Sequence, residues 1–244
     1  MPRKLLRAEI QEATITTVDR RAKYLLVRMN TGAVLVIHLG MTGRLGMFAA
    51  DLPRERHDHL RLLLNNNMEL RFNDSRRFGS VTVWPAANAA ELEREFDAHL
   101  GVEPLGDQFS GENLHALAAG RRVPVKTFLM DSRYIVGIGN IYANEILFAA
   151  AISPWQRGGS LSLPQWQAIA WHGRKILLRA IEAGGSTIAD FIGSSGQPGY
   201  FQLQLAVYGR KDEKCPRCGC PIIKKMLAGR ATFFCPHCQP MPAD

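Results

Sequence analysis

The sequence contains no long run of apolar residues and no start of the kind that directs secretion. Across its 244 residues, no apolar stretch approaches the ~18 residues that a membrane helix needs. The opening, MPRKLLRAEIQEA, lacks the apolar segment of a signal peptide. Internal repeats are also absent. These absences argue against a membrane protein, a secreted protein and a repeat array, and they predict a soluble cytoplasmic protein without a membrane partner.

Cysteine is scarce, and four of the five cysteines form two close pairs near the C-terminus. Cys215 and Cys218 make one pair, Cys235 and Cys238 make the other, and sixteen residues separate the pairs. Two such turns can close a tetrahedron of sulfur around Zn²⁺. Short strands predicted at 222–225 and 232–234 then give a zinc ribbon that gains much of its folding energy from the metal. Two disulfides or free thiols are the alternative, and Cys220 is expected to be a bystander.

Acidic residues are too few to balance the basic ones. Lys and Arg number 30 against 22 Asp and Glu, which gives a net charge of +8 and an isoelectric point near 9.5. Such a balance indicates a polyanionic partner, of which nucleic acid is the commonest. Charge alone leaves a basic protein without such a partner equally open.

The chain changes from predicted strands to predicted helices at Pro85. Apolar runs bounded by turn signals predict strands at 24–29, 33–38, 60–64, 68–72 and 81–84. No long crossover separates them, so an antiparallel sandwich or barrel is expected. Helices are predicted at 90–100, 112–119, 124–130, 141–151 and 162–183. The order predicts an α+β multidomain protein, with a β domain at 1–87, a helical domain at 88–205 and a zinc ribbon at 206–240.

The longest predicted helix carries an apolar stripe that we expect to lie in the core. Its members recur at roughly helical spacing and are Trp166, Ile169, Ile176, Leu177 and Ile181.

Met41 lies in a loop that follows a predicted strand. The run His38–Gly43, HLGMTG, places this side chain at the loop tip. One interpretation is a wedge that fills the space left in DNA when a base leaves the stack. Taken alone, the pattern favours a methionine packed beneath its loop.

Two further stretches combine basic side chains with turns. In Asp74–Gly79, DSRRFG, two arginines stand beside Phe78. That arrangement suits a phosphate clamp with an intercalating ring, although a surface salt bridge to Asp74 is the alternative. In His57-Asp58-His59 the spacing is poor for a metal site on a strand, so a phosphate contact or a core histidine is favoured.

Two candidate anion contacts lie in the second half of the chain. The run Val136–Tyr142, VGIGNIY, opens a predicted helix, so its free backbone N–H groups and the Asn140 side chain can meet a phosphate. It lacks the third glycine of a dinucleotide fingerprint. Arg230 lies at the predicted ribbon tip, where a phosphate or groove contact and a solvated turn arginine are equally open.

Together these motifs resemble the formamidopyrimidine-DNA glycosylase family, bacterial enzymes that excise 8-oxoguanine and ring-opened purines. The similarity runs from about residue 20 to residue 239. It rests on RRAKYLL at Arg20–Leu26, HLGMTG at His38–Gly43, RHDH at Arg56–His59, DSRRFG at Asp74–Gly79, LGVEPLG at Leu100–Gly106, VGIGNIYANE at Val136–Glu145, GYFQ at Gly199–Gln202, VYGRK at Val207–Lys211 and the cysteine ribbon with RATFFC.

The resemblance implies an N-terminal β-sandwich, a helix–two-turn–helix domain and a C-terminal zinc finger with one structural zinc. It also implies base-excision repair, in which a glycosylase with abasic-site lyase activity flips the damaged nucleotide out of the duplex. Schiff-base chemistry then cleaves the strand by β- and δ-elimination. The implied partner is double-stranded DNA with oxidised purines or abasic sites, acted on by a monomer in the bacterial cytoplasm, at the nucleoid.

Carried over position by position, the resemblance assigns roles to individual residues. Lys23 matches the lysine that assists β-elimination, and Arg230 matches the zinc-finger arginine of δ-elimination and phosphate binding. The segment 186–202 matches the loop that covers the lesion. DNA contact is implied for His57, Arg76, Arg121 and Asn140. Filling of the void left by the extruded base is implied for Met41, Arg76 and Phe78.

The chain departs from the family pattern at its start. The family begins with Met and then Pro-Glu-Leu-Pro-Glu, in which the freed proline amine attacks C1′ and the glutamate acts as acid or base. Here Met1-Pro2 is followed by Arg3-Lys4-Leu5 without a carboxylate, and Lys23 lies nearer the start than in the family. An N-terminally truncated chain is therefore expected, one that retains zinc and some DNA affinity but has little or no glycosylase activity.

Three functions follow from these patterns. The first is the glycosylase and lyase of the family, and the second is a catalytically impaired, zinc-dependent binder of damaged or abasic DNA. The third is a zinc-ribbon factor for RNA or transcription, which does not explain the motifs that precede Cys215.

Overall fold

The computed structural model describes residues 3–183 and 205–241 of the chain. These residues form two compact units, one of residues 3–98 with residue 183 and the other of residues 99–182 and 205–241. The segment matched to the lesion-covering loop, 186–202, lies outside the described residues, as do Met1 and Pro2. Within the described part, no helix has both the length and the hydropathy required to cross a bilayer.

The first unit is a sandwich of two antiparallel sheets. Helix α1 (Arg3–Ile10) precedes seven strands: β1 (Ile15–Arg21), β2 (Tyr24–Met29), β3 (Val34–His38), β4 (Gly43–Ala49), β5 (Asp58–Leu63), β6 (Met68–Asp74) and β7 (Ser80–Trp84). One sheet has the order β1-β2-β3-β7 and the other the order β4-β6-β5. Every pairing is antiparallel, which confirms the expectation drawn from the short connections.

Strand β3 is buried on both faces. Leu35 and Ile37 face the inner core between the sheets, whereas Val34 and Val36 face the helix α2 (Ala89–His99). Successive side chains of a strand point to opposite faces, so a run of four apolar residues suits a strand covered on both sides. Helix α2 begins after the boundary predicted at residue 87 and packs in the first unit.

The sequence patterns do not predict α1, β1 or β4. Strand β1 is an exposed edge strand in which six of seven residues are exposed, so it shows no alternation of apolar and polar positions. Strand β4 contains Gly43 and Gly46, which lower its intrinsic strand propensity. These elements are specified by tertiary pairing and not by local pattern.

The second unit contains four helices around one apolar core. They are α3 (Gly111–Ala118), α4 (Val125–Leu129), α5 (Asn140–Ala149) and α6 (Leu163–Glu182). Helix α6 begins with a capping interaction in which the backbone N–H of Ser162 donates to Gln165 Oε1 at 2.9 Å. Trp166 and Phe128 lie fully buried at the centre of this core.

The prediction that Ile181 is a core residue is wrong. Trp166 and Ile169 of the predicted stripe are buried, but Ile181 is 63% exposed. Ala180 occupies the buried position at the end of α6. Ile181 is rotated from it by about 100° around the helix and points outward.

A two-stranded hairpin completes the second unit. Strands β8 (Ile223–Leu227) and β9 (Arg230–Phe234) pair antiparallel, close to the two strands predicted for a zinc ribbon. Ile222 and Phe233 pack with Phe148 of α5 in a small apolar cluster. The hairpin is therefore held against the helices as part of their unit.

Helix α5 also anchors the chain that leads into the hairpin. The buried Glu145 carboxylate accepts backbone hydrogen bonds from Ala206, Val207 and Tyr208 at 2.8, 3.0 and 2.8 Å. Asn144 Oδ1 accepts another from the backbone of Phe233 at 2.8 Å. Two buried polar side chains of this helix thus fix the position of the cysteine module.

Candidate functional site

Two neighbouring loops of the sandwich present exposed apolar and basic side chains. Met41, between β3 and β4, is 59% exposed, and Phe78, between β6 and β7, is 58% exposed. The Arg76 guanidinium lies 4.9 Å from the centre of the Phe78 ring. The packing of Met41 beneath its loop, favoured by the isolated pattern, is therefore wrong. The structure brings together the three residues predicted to fill the void in DNA.

A buried carboxylate lies behind these two loops. Asp74, at the end of β6, has no exposed surface and accepts hydrogen bonds from the Thr42 hydroxyl at 2.5 Å and the Gly79 N–H at 2.8 Å. Burial alone raises the pKa of Asp74. These bonds and those from the backbone of Arg76 and Arg77 outweigh it, so the pKa is lowered. Asp74 is thus an anion that supports the loop backbone, and not the partner in a surface salt bridge.

Lys23 lies in the turn between β1 and β2, after Ala22, whose φ is +54°. Its side chain is exposed. In the pairing of β2 with β3, Tyr24 lies opposite His38. Burial lowers the pKa of His38, and the positive charge of Lys23 lowers it further. A cationic amine therefore lies near an imidazole whose charged form is disfavoured, at an accessible corner of the sandwich.

His57 is held in an unusual backbone conformation just before β5. Its φ is +75°, in the left-handed region that non-glycine residues rarely occupy. Its carbonyl accepts from the Asp74 N–H at 3.1 Å, and Asn73 Nδ2 donates to the Arg56 carbonyl at 2.9 Å. Such strain persists only where the surroundings fix it, as is common at ligand-contacting positions.

The same region contains a buried arginine that the sequence patterns do not single out. Arg71 is 3% exposed and pairs with Glu69 through its Nε at 2.9 Å. Its remaining nitrogens donate to the carbonyls of Pro53 and Leu52 at 2.8 and 2.6 Å. The residue therefore ties the loop before His57 to the sheet. In the sequence Arg71 is one of the polar residues that alternate with apolar ones in β6, so the pattern predicts an exposed position for it.

Arg230 lies at the tip of the hairpin in the second unit. It is the first residue of β9 and pairs with Leu227 across a turn in which Ala228 has φ +48°. Its side chain is exposed. This placement agrees with the predicted position at the ribbon tip.

Two side chains from the helices converge on the backbone next to Arg230. Asn140 Nδ2 and Lys126 Nζ each donate to the Ala231 carbonyl at 3.0 Å, and Lys126 Nζ also donates to Thr232 Oγ1 at 2.7 Å. Lys126 is 1% exposed, and burial, with the charge of Arg230, lowers its pKa to about 8. Lys126 is a second residue that the sequence patterns miss. The predicted phosphate contact Asn140 is thereby brought to the same hairpin as Arg230.

A cleft of about 220 Å³ opens beside this junction. It lies between α4 and the hairpin tip and is lined by Lys126, Thr127, Met130, Asp131, Leu227, Ala228 and Arg230.

Arg121 lies on the connection between α3 and α4. Its guanidinium carbon is 4.3 Å from the centre of the Tyr134 ring, and its Nε donates to the Leu117 carbonyl at 2.8 Å. These contacts hold an exposed cation in a fixed direction. Like Asn140 and Arg230, it belongs to the second unit, whereas Lys23 and His57 belong to the first.

The four paired cysteines form the one metal-type cluster of His, Cys, Asp and Glu within residues 3–183 and 205–241. The sulfurs of Cys215, Cys218, Cys235 and Cys238 all lie within 4.8 Å of one another. A tetrahedral zinc site with Zn–S bonds of ~2.3 Å places its sulfurs ~3.8 Å apart, which these positions fit. The Sγ–Sγ distances of 3.9 Å for Cys215–Cys238 and 3.4 Å for Cys218–Cys235 exclude disulfides.

The pKa values of the clustered thiols also favour a bound cation. Burial, together with the neighbouring thiols of Cys218 and Cys235, raises the pKa of Cys238 to about 12, whereas at Cys215 burial is outweighed by backbone hydrogen bonds, which lower the pKa to about 7. Four crowded sulfurs cannot all ionise unless a metal compensates their charge. The fifth cysteine, Cys220, lies outside the cluster, as predicted.

Comparison with known proteins accounts for nearly the whole chain. The profile of the formamidopyrimidine-DNA glycosylase N-terminal domain matches residues 1–81, that of the helix–two-turn–helix domain of the same enzymes matches 100–192, and that of a zinc finger found in these enzymes and isoleucyl-tRNA synthetases matches 212–240. The matched finger and the sulfur geometry together identify one structural zinc ion as the cofactor.

Individual relatives agree with these profiles. Formamidopyrimidine-DNA glycosylases of Shigella dysenteriae and Escherichia coli O1:K1 are each 47% identical over 231 residues, which covers 94% of this chain and 84% of theirs. Among solved structures, Lactococcus lactis Fpg bound to DNA with an oxidised pyrimidine has a TM-score of 0.89 at 32% identity. The same enzyme bound to abasic-site DNA has a TM-score of 0.90 at 33% identity. In each case 98% of this chain and 86% of the other are covered. This chain belongs to the formamidopyrimidine-DNA glycosylase family.

Proposed function

We propose that this chain acts in base-excision repair as a DNA glycosylase and abasic-site lyase. Its substrate is double-stranded DNA that carries oxidised purines such as 8-oxoguanine and formamidopyrimidines, or abasic sites. The observation that carries the proposal is the cluster of exposed Met41, Arg76 and Phe78 on neighbouring loops. Two exposed apolar side chains beside a cation suit insertion into a base stack next to a phosphate. Relatives at 47% identity are named formamidopyrimidine-DNA glycosylases.

Residues of the two units have different proposed roles in the reaction. The exposed amine of Lys23 assists β-elimination, in which a proton leaves C2′ of the Schiff base and the 3′-phosphate departs. Arg230 binds a backbone phosphate and assists the δ-elimination that releases the 5′-phosphate. His57, Arg76, Arg121 and Asn140 hold the DNA backbone. Zinc holds the hairpin that carries Arg230 and takes no part in bond breaking.

The proposed substrate also bears on where the protein works and on the roles of its domains. We propose a monomer that works in the bacterial cytoplasm at the nucleoid, because chromosomal DNA is there. The proposed division of labour is a catalytic β-sandwich at 1–87, a DNA-binding helical segment at 88–205 and a zinc finger at 206–240.

Borohydride trapping on a duplex with one abasic site tests the proposal. Reduction converts a Schiff base into a stable protein–DNA adduct, so an active chain gives an adduct, and unreduced reactions give cleaved strands. Lys23→Ala should lower strand cleavage by roughly two to four orders of magnitude, the range for loss of a positioned acid–base group. The exposed Lys175→Ala is the control and should cleave as the unaltered chain does.

The same experiment distinguishes the second candidate, a non-cleaving binder of damaged DNA. That candidate needs the same exposed Met41, Arg76 and Phe78 but no reactive amine. The expectation of little glycosylase activity stays a prediction. Lesion-specific binding without adduct or cleavage would support the binder, whereas an adduct mapped to Pro2 by mass spectrometry would support the enzyme.

A further inference from the structure

We propose that Asp74 is a positioning residue that, with Thr42, holds the loops of Met41 and Phe78 together as one preformed wedge. The inference rests on the proposed function, since it concerns how that function inserts side chains into DNA. It deepens that function by naming two buried groups that do not themselves touch the substrate.

The Asp74 side chain joins both loops through its two oxygens. Oδ1 accepts from the Thr42 hydroxyl at 2.5 Å and from the Arg76 N–H at 3.3 Å, and Oδ2 accepts from the Gly79 N–H at 2.8 Å. Thr42 follows Met41, and the two backbone donors flank Phe78. One buried carboxylate therefore binds the side chain that follows Met41 and the backbone on either side of Phe78.

Further contacts close this arrangement. The Thr42 hydroxyl oxygen lies 3.3 Å from the Arg76 N–H as well, so it bridges the carboxylate and the second loop. His59 Nε2 lies 2.8 Å from the Asp74 carbonyl oxygen. The hydrogen-bonding capacity of Asp74 is thus used inside the protein, which leaves it a supporting and not a DNA-contacting role.

The two loops also touch through their main chains. A Cβ placed on Gly40, whose φ is +64°, would lie 2.5 Å from the carbonyl carbon of Phe78. A Cβ on Gly79 would lie 2.8 Å from the His38 carbonyl oxygen. Only glycine permits this approach, so the loop of Met41 cannot shift without displacing the loop of Phe78.

Such coupling has a direct consequence for DNA binding. Ordering a flexible loop at the moment of binding costs conformational entropy and weakens the complex. Here the loops are ordered before DNA arrives, so insertion of Met41, Arg76 and Phe78 is expected to occur as one event. If the Asp74 contacts are lost, the three side chains should insert slowly and independently.

Asp74→Asn and Thr42→Val test this with little change in shape. An asparagine side chain has one acceptor oxygen where the aspartate has two. In Asp74→Asn the side-chain NH2 group therefore faces the backbone N–H of Arg76 or of Gly79, and that hydrogen bond is lost. Thr42→Ser keeps the hydroxyl and should behave as the unaltered chain does. Asp97→Asn, at an exposed carboxylate of α2, is the matched control.

The first readout is amide hydrogen exchange of the zinc-loaded protein without DNA. Exchange at Arg76 and Gly79 should become at least about tenfold faster in Asp74→Asn, because a charge-assisted bond is lost, and exchange at Arg76 should also become faster in Thr42→Val, which removes the hydroxyl that this N–H contacts. Unchanged exchange at both amides would overturn the inference. Thr42→Val retains the Asp74 anion and serves if Asp74→Asn fails to fold.

The second readout is stopped-flow fluorescence of 2-aminopurine placed next to a tetrahydrofuran abasic analogue in a duplex. The unaltered chain should give a rapid signal on insertion, and the two variants should be roughly tenfold slower. Affinity for undamaged duplex should stay the same in all variants, which a general folding defect would not allow. Faster exchange with an unchanged insertion rate would overturn the proposal.

A double variant decides whether the loops act together. Met41→Ala should slow insertion in the unaltered background and add little in the Asp74→Asn background. Fully additive effects would contradict the single wedge. If the unaltered chain does not distinguish the abasic duplex from undamaged DNA, the proposed function fails and the inference falls with it. If it does distinguish them and the variants match it, the inference alone fails.

Discussion

At the scale of individual residues, buried charged side chains fix the backbone next to the proposed DNA contacts. Arg71, Lys126 and Asp74 are each almost fully buried, and each connects a loop or hairpin to a rigid element. Burying an ion is costly unless its hydrogen bonds are satisfied, so each of these contacts constrains the backbone it touches. Their neighbours Met41, His57 and Arg230 are among the residues proposed to contact DNA.

Arg71→Met is expected to destabilise the sandwich. The substitution keeps bulk but removes one of the two arginines that bind the buried Glu69, which keeps Arg61, and it leaves the carbonyls of Leu52 and Pro53 without this donor. Leaving buried acceptors without their hydrogen bonds costs about 1–3 kcal/mol in the free energy of unfolding. Urea unfolding measures it, with the exposed Arg94→Met as control. A loss below about 1 kcal/mol, as found for surface pairs, would contradict this role for Arg71.

Lys126 should give the stability of the chain a specific pH dependence. Its pKa is about 8 in the folded chain against an ordinary 10.5, so between these values the unfolded chain binds more protons. The contribution of Lys126 to the free energy of unfolding therefore rises as the pH rises from about 8 to 10.5 and is smallest below that window. Urea unfolding of zinc-loaded protein across the window should show a shallower slope in Lys126→Met. Equal slopes in both proteins would exclude the effect.

Among the elements, the hairpin of β8 and β9 depends most clearly on one feature, its four sulfur ligands. Cys235→Ala should abolish stoichiometric zinc binding and unfold the hairpin, because so small an element buries little apolar surface of its own. Cys220→Ala should retain one zinc per chain, since that thiol lies outside the cluster. Metal analysis with limited proteolysis measures both. Retained zinc in Cys235→Ala would refute the four-sulfur site.

The elements also show which parts of the fold the sequence could predict. Strand β3 contains a continuous apolar run, and α6 is a capped amphipathic stretch. Both local patterns are strong, and the sequence predicts both elements closely. The edge strand β1 lacks such a pattern because it buries little, and Ile181 fits the stripe of α6 yet points outward. Buried Lys126 and Asp74 could not be recognised, since their roles depend on partners distant in sequence.

For the molecule as a whole, the excess of basic residues should make DNA binding strongly dependent on salt. Affinity for an abasic duplex is expected to fall steeply from ~50 to ~200 mM salt, because each neutralised phosphate releases bound cations. Arg76→Ala, Arg121→Ala and Arg230→Ala should each reduce the logarithmic salt slope by about one, whereas Arg94→Ala on α2 should not. Binding measured by fluorescence anisotropy that is unaffected by salt would refute the phosphate contacts.

The anchoring of residues 206–208 by Glu145 has a consequence for how the protein survives loss of its metal. These backbone groups are held by a helix of the second unit and not by the sulfurs. When a chelator removes zinc, the hairpin should come apart while its entry point stays docked on α5. Recovery would then require only that a short tethered ribbon close again around a fresh ion, so demetallation should be fully reversible without denaturant. Glu145→Gln should slow the recovery, because the hairpin would then have to dock on α5 again as well as bind zinc.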